Sequence, residues 1–567
     1  MKRNAILIIL FLLIKQVVFG EGIITNAYQS AQYVRMLSRN ATTTIDAVYY
    51  NPAGLIKMAD GWHFAAYNHG IFTDKFIATG FPESLINNRR FEGSSQKSVL
   101  PSAFAVYRKN DLAFSLGFGP VGAGVTGKFD NGLPTFEIPL TQIVPGLSGL
   151  TEIDPSYDVT GYDADIYFNG QSQYWGIQLG VTYQVNPVFS LYGGVRYLPA
   201  RNTYQGSVKN IQLKVGNEYY MAPEWLNQTA SEIRDVKVAD ARDAYDRLIY
   251  GAEELDPLVR DNTTSDMTIS ELESSGSIPL GAREEIEWGL SILEFTPEEI
   301  EEMPVSEVQS HYYDGAEYYD ELATNKLPQT ADDLEQAAER AEDQEMDTKQ
   351  TGDAITPIIG INFFPLENLV VAIKYEMKTN LPMKNNTRVD DLGMFPDGEV
   401  ENNNIPSVCA VGIGYKANKW LEAQLSYTMY FEKGVDWGYN PRDIAAWQNV
   451  DYNKIRERKI NRFGMELGLG FQFKITESFA LSAGGVYGAP GVDESYQNDF
   501  SYSIPSVTAG GGFSWNIASG LVFDAGMSKS FYENREVEFS DPEVGFYFDT
   551  VGKSSIAFSA GISYSFF

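Results

Sequence analysis

Residues 462–474 read RFGMELGLGFQFK, and this stretch decides the fold. Its apolar side chains fall on every second residue: Phe463, Met465, Leu467, Leu469, Phe471 and Phe473. The residues between them are Arg, Glu, Gln, Lys and three Gly. A period of two predicts a β-strand with one apolar and one polar face. Residues 369–378 and 419–431 have the same alternation.

The connections between such stretches come in two lengths that alternate along the chain. Short ones, such as 109–110, 186–187 and 476–477, alternate with long ones, such as 129–171 and 215–353. Short turns at one end and long loops at the other are typical of outer-membrane barrels. On this basis we predict fourteen antiparallel transmembrane strands, near 62–73, 98–108, 111–127, 172–185, 188–214, 354–365, 369–378, 404–416, 419–431, 461–474, 478–488, 501–515, 520–531 and 554–567.

The composition agrees with a barrel, and the charge is concentrated in one insert. The 567 residues include 34 Tyr, 33 Phe, 8 Trp and 51 Gly, and the net charge is −32. Residues 218–350 hold 35 acidic and 9 basic side chains and so account for −26 of it. Nucleic-acid binding needs an excess of Lys and Arg, so it is excluded. Beyond residue 20 no run of 18 apolar residues occurs, which argues against a helical membrane protein.

The acidic insert, 218–350, occupies a long-loop position, so we expect it to be extracellular. Thr296-Pro297-Glu298-Glu299 has the pattern of a helical capping box. Thr330 precedes an Ala- and Glu-rich run and is expected to begin another helix. The insert is therefore predicted to be largely helical. It lacks the spacing of a calcium loop, and we expect neither a metal nor a cofactor.

The N-terminus predicts export. Lys2 and Arg3 precede an apolar stretch that ends near Gly20, so residues 1–20 are expected to be a signal peptide.

Cys409 is the only cysteine, which excludes an internal disulfide. The last residues alternate in polarity and end in Phe566 and Phe567, a pattern that resembles the signal read by the outer-membrane assembly machinery.

Residues 21–60 precede the first strand and contain the string Tyr50-Asn51-Pro52-Ala53-Gly54-Leu55. This string resembles the hallmark of the FadL-like outer-membrane transporters of long-chain fatty acids and hydrocarbons. The resemblance implies that the segment folds inside the barrel as a hatch, with Asn51, Pro52, Ala53, Gly54 and Leu55 as its motif. It also implies that residues 61–567 form the barrel. The residues alone equally allow a plain turn that leads into the first strand.

The predicted third strand is rich in residues that weaken a ladder. It contains Gly117, Gly119, Pro120, Gly122 and Gly124, and Pro lacks the N–H that a strand needs. Such a strand is expected to kink or bulge. In FadL-like proteins a kink in the third strand opens a lateral portal, which the resemblance extends to these residues. Alternatively, the small residues only make room for the hatch.

Charged residues on the inward face include Arg196, Lys374, Glu376, Arg462, Glu466 and Asp524. Most are expected to pair with one another, but Arg196 and Arg462 are candidates for binding a carboxylate. The three histidines, His63, His69 and His311, occur without a nucleophile elbow or zinc spacing, so we expect no enzyme.

These features predict a monomeric passive channel for fatty acid-like hydrophobic molecules, embedded in outer-membrane lipid. Cargo would enter from outside, pass the hatch and leave sideways at the third strand. Two alternatives remain open at this stage. One is a surface adhesin whose insert, 218–350, binds a partner, and the other is a general porin for small solutes.

Overall fold

The computed structural model describes residues 28–81, 85–122, 127–279, 281–391, 393–433, 435, 437–438, 462–491, 499, 502–541 and 545–566. The predicted signal peptide, 1–20, lies outside these residues, as do Gly124 and Phe567.

Twenty strands of the described chain form one antiparallel sheet. Their bounds are β1 Gly61–Gly80, β2 Arg90–Lys109, β3 Leu112–Pro120, β4 Gly127–Phe129, β5 Val159–Asn186, β6 Phe189–Val215, β7 Glu218–Met221, β8 Gln344–Leu366, β9 Leu369–Glu376, β10 Pro382–Asp390, β11 Val400–Asn403, β12 Val408–Lys416, β13 Leu421–Tyr430, β14 Trp437–Gly438, β15 Gly464–Lys474, β16 Phe479–Ala489, β17 Ser506–Ala518, β18 Leu521–Tyr532, β19 Arg535–Asp541 and β20 Gly545–Phe566.

The sheet closes on itself because the first and last strands pair. β1 and β20 run antiparallel from the pair Trp62↔Phe566 to the pair Gly80↔Phe548. Some strands continue one another after a break, as β4 continues β3, and the wall has fourteen strands in all. The predicted fourteen-stranded antiparallel barrel is therefore confirmed.

The two faces of the wall differ as the alternation predicts. On β15, Leu467 and Leu469 point outward and are 47% and 46% exposed, whereas Gly468 and Glu466 are buried. An apolar outer band around a polar interior is the surface of a transmembrane barrel. Among the described residues, no helix is both long and apolar enough to cross a bilayer.

The N-terminal segment, residues 28–58, packs inside this wall. It contains α1 Ala31–Met36, α2 Ala47–Tyr50 and a 3₁₀ helix, Pro52–Lys57. The Ser30 side chain caps α1 by accepting a hydrogen bond from the Tyr33 N–H. Buried apolar residues of both helices form one cluster with residues of β1, β2 and β3. The segment is thus part of the core of the barrel.

A second compact unit consists of Gln142–Ala164 and Asn210–Glu342 among the described residues. The remaining helices of the chain are α3 Pro134–Thr141, α4 Ile143–Leu147, α5 Ala222–Glu232, α6 Val238–Arg260, α7 Ile269–Ser274, α8 Ala282–Ile292, α9 Pro297–Glu302, α10 Val305–Glu321 and α11 Leu327–Arg340, with α4 to α11 in this second unit. Short 3₁₀ helices cover Ser148–Glu152 and Pro155–Tyr157, and π-helical turns cover Ile233–Lys237 and Leu322–Lys326.

The acidic insert is helical and has a core of its own, with Leu248, Leu290 and Tyr312 buried. The capping box at Thr296 is present, with Glu299 as its partner. The expected helix start at Thr330 is wrong, because α11 begins at Leu327 and the Thr330 hydroxyl donates to the Lys326 carbonyl at 2.9 Å. At the far end of the insert, residues 344–350 are already part of β8.

Candidate functional site

Each residue type in the string Asn51–Leu55 has a local structural role. The Asn51 Nδ2 donates to the Thr42 carbonyl at 2.9 Å, and Pro52 is the first residue of the 3₁₀ helix. A Cβ on Gly54 would lie 2.6 Å from the same Thr42 carbonyl, so only glycine allows this close approach. Ala53 and Leu55 are fully buried. The string therefore folds the N-terminal segment back on itself.

The same string is attached to the barrel wall through backbone carbonyls. The Thr182 hydroxyl on β5 donates to the Pro52 carbonyl at 2.8 Å, and the Ser190 hydroxyl on β6 donates to the Ala53 carbonyl at 2.7 Å. Because these wall groups bind backbone atoms, they fix the position of the string without depending on its side chains.

A buried ion pair holds the first half of the N-terminal segment together. The Arg39 guanidinium donates from Nε and Nη2 to the two oxygens of Asp46, both at 2.8 Å. Asp46 also accepts hydrogen bonds from the hydroxyls of Thr42, Thr44 and Ser30. Burial alone would raise the pKa of Asp46, but the Arg39 charge and these hydrogen bonds hold it below its ordinary value.

The third wall strand is interrupted just after Pro120. Its pairing with β5 runs to Pro120↔Trp175 and resumes at Gly127↔Gly170, and its pairing with β2 stops at Ala103↔Phe118. Gly122 has a φ of +116°, a backbone conformation that favours glycine. Of the residues predicted to form a kink, Pro120 and Gly122 lie at the interruption, and Gly124 lies outside the described residues.

Gly117 and Gly119 have a different role from Pro120 and Gly122. A Cβ on Gly117 would lie 2.9 Å from the Val48 side chain, and one on Gly119 would lie 2.2 Å from the Gln29 side-chain oxygen. Gly117 and Gly119 therefore make room for the N-terminal segment, whereas Pro120 ends the strand and Gly122 lies just beyond its end.

Gln29 of the N-terminal segment bridges the two strands at the point where their ladder stops. Its side-chain amide donates to the Pro120 carbonyl on β3, and its carbonyl accepts a 2.7 Å hydrogen bond from the Ser102 hydroxyl on β2. Its backbone N–H donates to the Tyr50 hydroxyl at 3.1 Å, which ties it to α2. Gln29 thus replaces strand-to-strand hydrogen bonds with bonds through the N-terminal segment.

Arg196, one of the two predicted carboxylate ligands, is buried in a group of three charges. Its Nη1 lies 2.6 Å from a Glu376 oxygen, and the Lys374 Nζ lies 2.7 Å from the other. The Tyr49 ring lies under both cations, 4.9 Å from the Arg196 guanidinium carbon and 4.7 Å from the Lys374 Nζ. Two cations share one carboxylate, so the triad of Arg196, Lys374 and Glu376 carries one positive charge in excess.

Two small cavities lie beside the triad and the interruption of β3. A cavity of about 30 Å³ borders Arg196, Lys374 and Glu376, and one of about 10 Å³ borders Gln29, Gly117 and Gly119. Tyr49, Val121 and Arg196 line both of them. The triad and the interrupted strand are therefore neighbours, because Arg196 of the triad itself borders the cavity beside the strand.

Arg462 is not brought into this site. It precedes β15 and is exposed, and no contact joins it to Arg196 in the described part of the chain. Nothing in the sequence marks Gln29 as a site residue, since a lone Gln in a segment without strand alternation carries no signal of its own. The pairing of Lys374 and Glu376 with Arg196 agrees with the expectation that inward charges bind one another.

The solved structures that resemble this chain include the following three. The first is a Pseudomonas aeruginosa FadL homologue, with a TM-score of 0.53, 12% identity and coverage of 96% of this chain and 100% of that one. The P. putida toluene transporter TodX has a TM-score of 0.47 and 12% identity, covering 93% and 95%. The Ralstonia pickettii toluene transporter TbuX has a TM-score of 0.46 and 12% identity, covering 95% and 99%.

No family model matches the sequence, and no curated protein matches it. At 12% identity, the likeness to the FadL homologue establishes the fold.

Proposed function

We propose that this chain is an outer-membrane channel for hydrophobic molecules, with long-chain fatty acids as the first candidates. The observation that carries the proposal is Gln29, through which the N-terminal segment spans the interrupted ladder between β2 and β3. The segment then acts as a hatch. When it moves, the same motion removes the bridge across the interrupted ladder, and cargo leaves sideways between β2 and β3.

The charge of the triad favours an anionic cargo over a neutral one. A buried cation without its own counter-ion is costly, and a carboxylate that arrives between Arg196 and Lys374 would neutralise it. Arg also presents the forked donors that suit a carboxylate. Burial of the alkyl chain would contribute roughly 0.8 kcal/mol per methylene.

The contents of the barrel argue against a general porin, whose interior is a water-filled channel. Here the N-terminal segment lies buried in the interior, and α3 is buried as well. The acidic insert has no part in the proposed path, which distinguishes the proposal from an adhesin.

The test is uptake of a labelled long-chain fatty acid by cells that lack their own fatty-acid channel. Cells with the wild-type chain should take up the label, and cells with a chain lacking residues 222–340 should keep most of that uptake. Loss of uptake on removal of the insert would support the adhesin instead.

A second variant tests the hatch. Removal of residues 28–55 should abolish the selective uptake of fatty acid and produce ion conductance in planar bilayers. Unchanged uptake in that variant would contradict the proposal.

A further inference from the structure

The outer face of the wall carries an apolar groove beside the interrupted strand, with a volume of about 500 Å³. Its floor is formed by Ala66 on β1 and by Ala103 and Ala105 on β2. Its size is within the range of ordinary small-molecule sites. The groove lies on the outward side, because its large side chains, such as Phe64 and Leu116, are exposed at 41% and 44%.

The strand register explains why the wall is concave here. Ala66 pairs with Ala103, so two neighbouring strands both present a methyl group at the same height. The flanking residues in that row are large: Ile562 beside Ala66, and Phe118 beside Ala103. Neighbouring strands are about 4.8 Å apart, so the floor is wide enough for a single alkyl chain between two apolar walls.

The groove adjoins the inner site. Phe104 and Phe118 line both the groove and the small cavity at the interruption of β3. That cavity in turn shares Tyr49, Val121 and Arg196 with the cavity beside the triad. Three spaces therefore follow one another from the buried charges to the outer surface, and the last two are separated by the wall at Phe104, which is buried, and Phe118, which is exposed on the outer face.

We propose that the groove binds the alkyl chain of cargo as it leaves the barrel, as a landing site on the membrane side. This inference rests on the proposed function. A chain in the groove contacts protein on its floor and both sides, whereas a chain on the flat wall has contact on one side only, and dispersion energy grows with the number of contacts. Occupancy of the groove lowers the barrier to exit, because the leaving chain keeps contact with protein on three sides until it enters the lipid.

The experiment uses the full chain in lipid vesicles and a fatty acid with a diazirine at its tail end. A variant with Ala103→Leu and Ala105→Leu fills the groove without touching the inner cavities. The matched control is Ala483→Leu, an exposed outward alanine on β16. Two quantities are measured for each protein: equilibrium binding of the probe before illumination, and the rate at which bound probe is released into the vesicle membrane.

The double variant should bind the probe as wild type does but release it at least fivefold more slowly. The control should match wild type in both equilibrium binding and release rate. Release at the wild-type rate would overturn the landing site and leave the proposed function intact. Absence of probe binding in the wild-type protein would instead overturn the proposed function.

Cross-linking of the wild-type protein tests the proposal even if the double variant does not fold. Folding of the double variant is judged by its heat-modifiable band on a gel. In wild type, probe loaded through the lumen should label β2 or β3 next to the groove. Equal labelling by probe that is simply dissolved in the bilayer would mean that the groove holds ordinary lipid, and a cross-linked dimer through this face would mean that it holds a second copy. Both results contradict the proposal.

Discussion

The side-chain amide of Gln29 donates a hydrogen bond to the carbonyl of Pro120, the last residue of β3 before its interruption. Gln29, the first buried residue of the N-terminal segment, is thereby joined to the wall at the end of β3. In the proposed mechanism, movement of that segment and opening of the wall are coupled through this bond and through the bond from Ser102 to the Gln29 carbonyl.

Replacement of Gln29 by Ala should loosen this coupling. The Pro120 carbonyl loses its donor, which costs about 1–3 kcal/mol if the group stays buried. We expect a faster leak of hydrophobic dyes and greater sensitivity of cells to apolar antibiotics. Gln32→Ala is the control, since the Gln32 amide donates to Asp524 on β18 at 2.7 Å, away from the interruption of β3. Equal leak in both variants would show that the bond to Pro120 has no special role.

Gly54→Ala should displace the Asn51–Leu55 string. The new methyl group would meet the Thr42 carbonyl and the Asn51 amide, both at 2.6 Å. Overpacking of this kind costs about 1–3 kcal/mol, so limited proteolysis should cut the N-terminal segment sooner. Gly193→Ala on β6 is the control, because a Cβ there has no neighbour within 4 Å. An unchanged cleavage rate in Gly54→Ala would contradict the packing described for the string.

Removal of the anion and removal of one cation from the triad should have opposite effects on the stability of the fold. Glu376→Gln leaves two buried cations without a counter-ion, so thermal unfolding should reveal a loss of about 3–5 kcal/mol. Lys374→Met leaves a balanced Arg196–Glu376 pair, and the fold should remain stable.

Lys374→Met should nevertheless weaken binding of a fatty acid by about tenfold to a hundredfold, the equivalent of about 1.5–3 kcal/mol for a charged hydrogen bond. Calorimetry with the fatty acid and with its alcohol analogue separates the charge from the chain. Equal weakening for both ligands would mean that Lys374 supports packing and does not recognise the carboxylate.

The sequence predicts the wall well because successive residues of a strand point to opposite faces, so an odd or even position decides whether a side chain is buried. Leu467 and Glu466 are assigned to opposite faces by their positions alone, and the structure agrees. Pro120 marks the end of β3 for a similar reason, since its missing N–H is a local property. The position of Gln29 depends on the path of the whole N-terminal segment, which no local pattern encodes. Arg462 was a candidate from alternation alone, but the ladder of β15 begins two residues later.

The Arg39–Asp46 pair makes the stability of the N-terminal segment depend on pH. The folded pKa of Asp46 lies below its value in the unfolded chain, so the unfolded state binds a proton first as the pH falls. The stabilisation is therefore present at neutral pH and is lost as the pH falls below about 4 toward the folded pKa. Hydrogen exchange of residues 31–50 should accelerate over this range before that of the wall strands.

Asp46→Asn is the matched variant, because it keeps the shape of the side chain and removes its charge. It should expose the segment to exchange already at neutral pH, since Arg39 loses its counter-ion, and it should flatten the acid dependence. If the variant kept the acid dependence of wild type, the transition would belong to another carboxylate. Thr44→Val keeps both charges but removes the hydroxyl that donates to Asp46 at 2.8 Å and accepts from the Arg39 Nη2 at 2.6 Å. It should shift the acid transition upward without abolishing it.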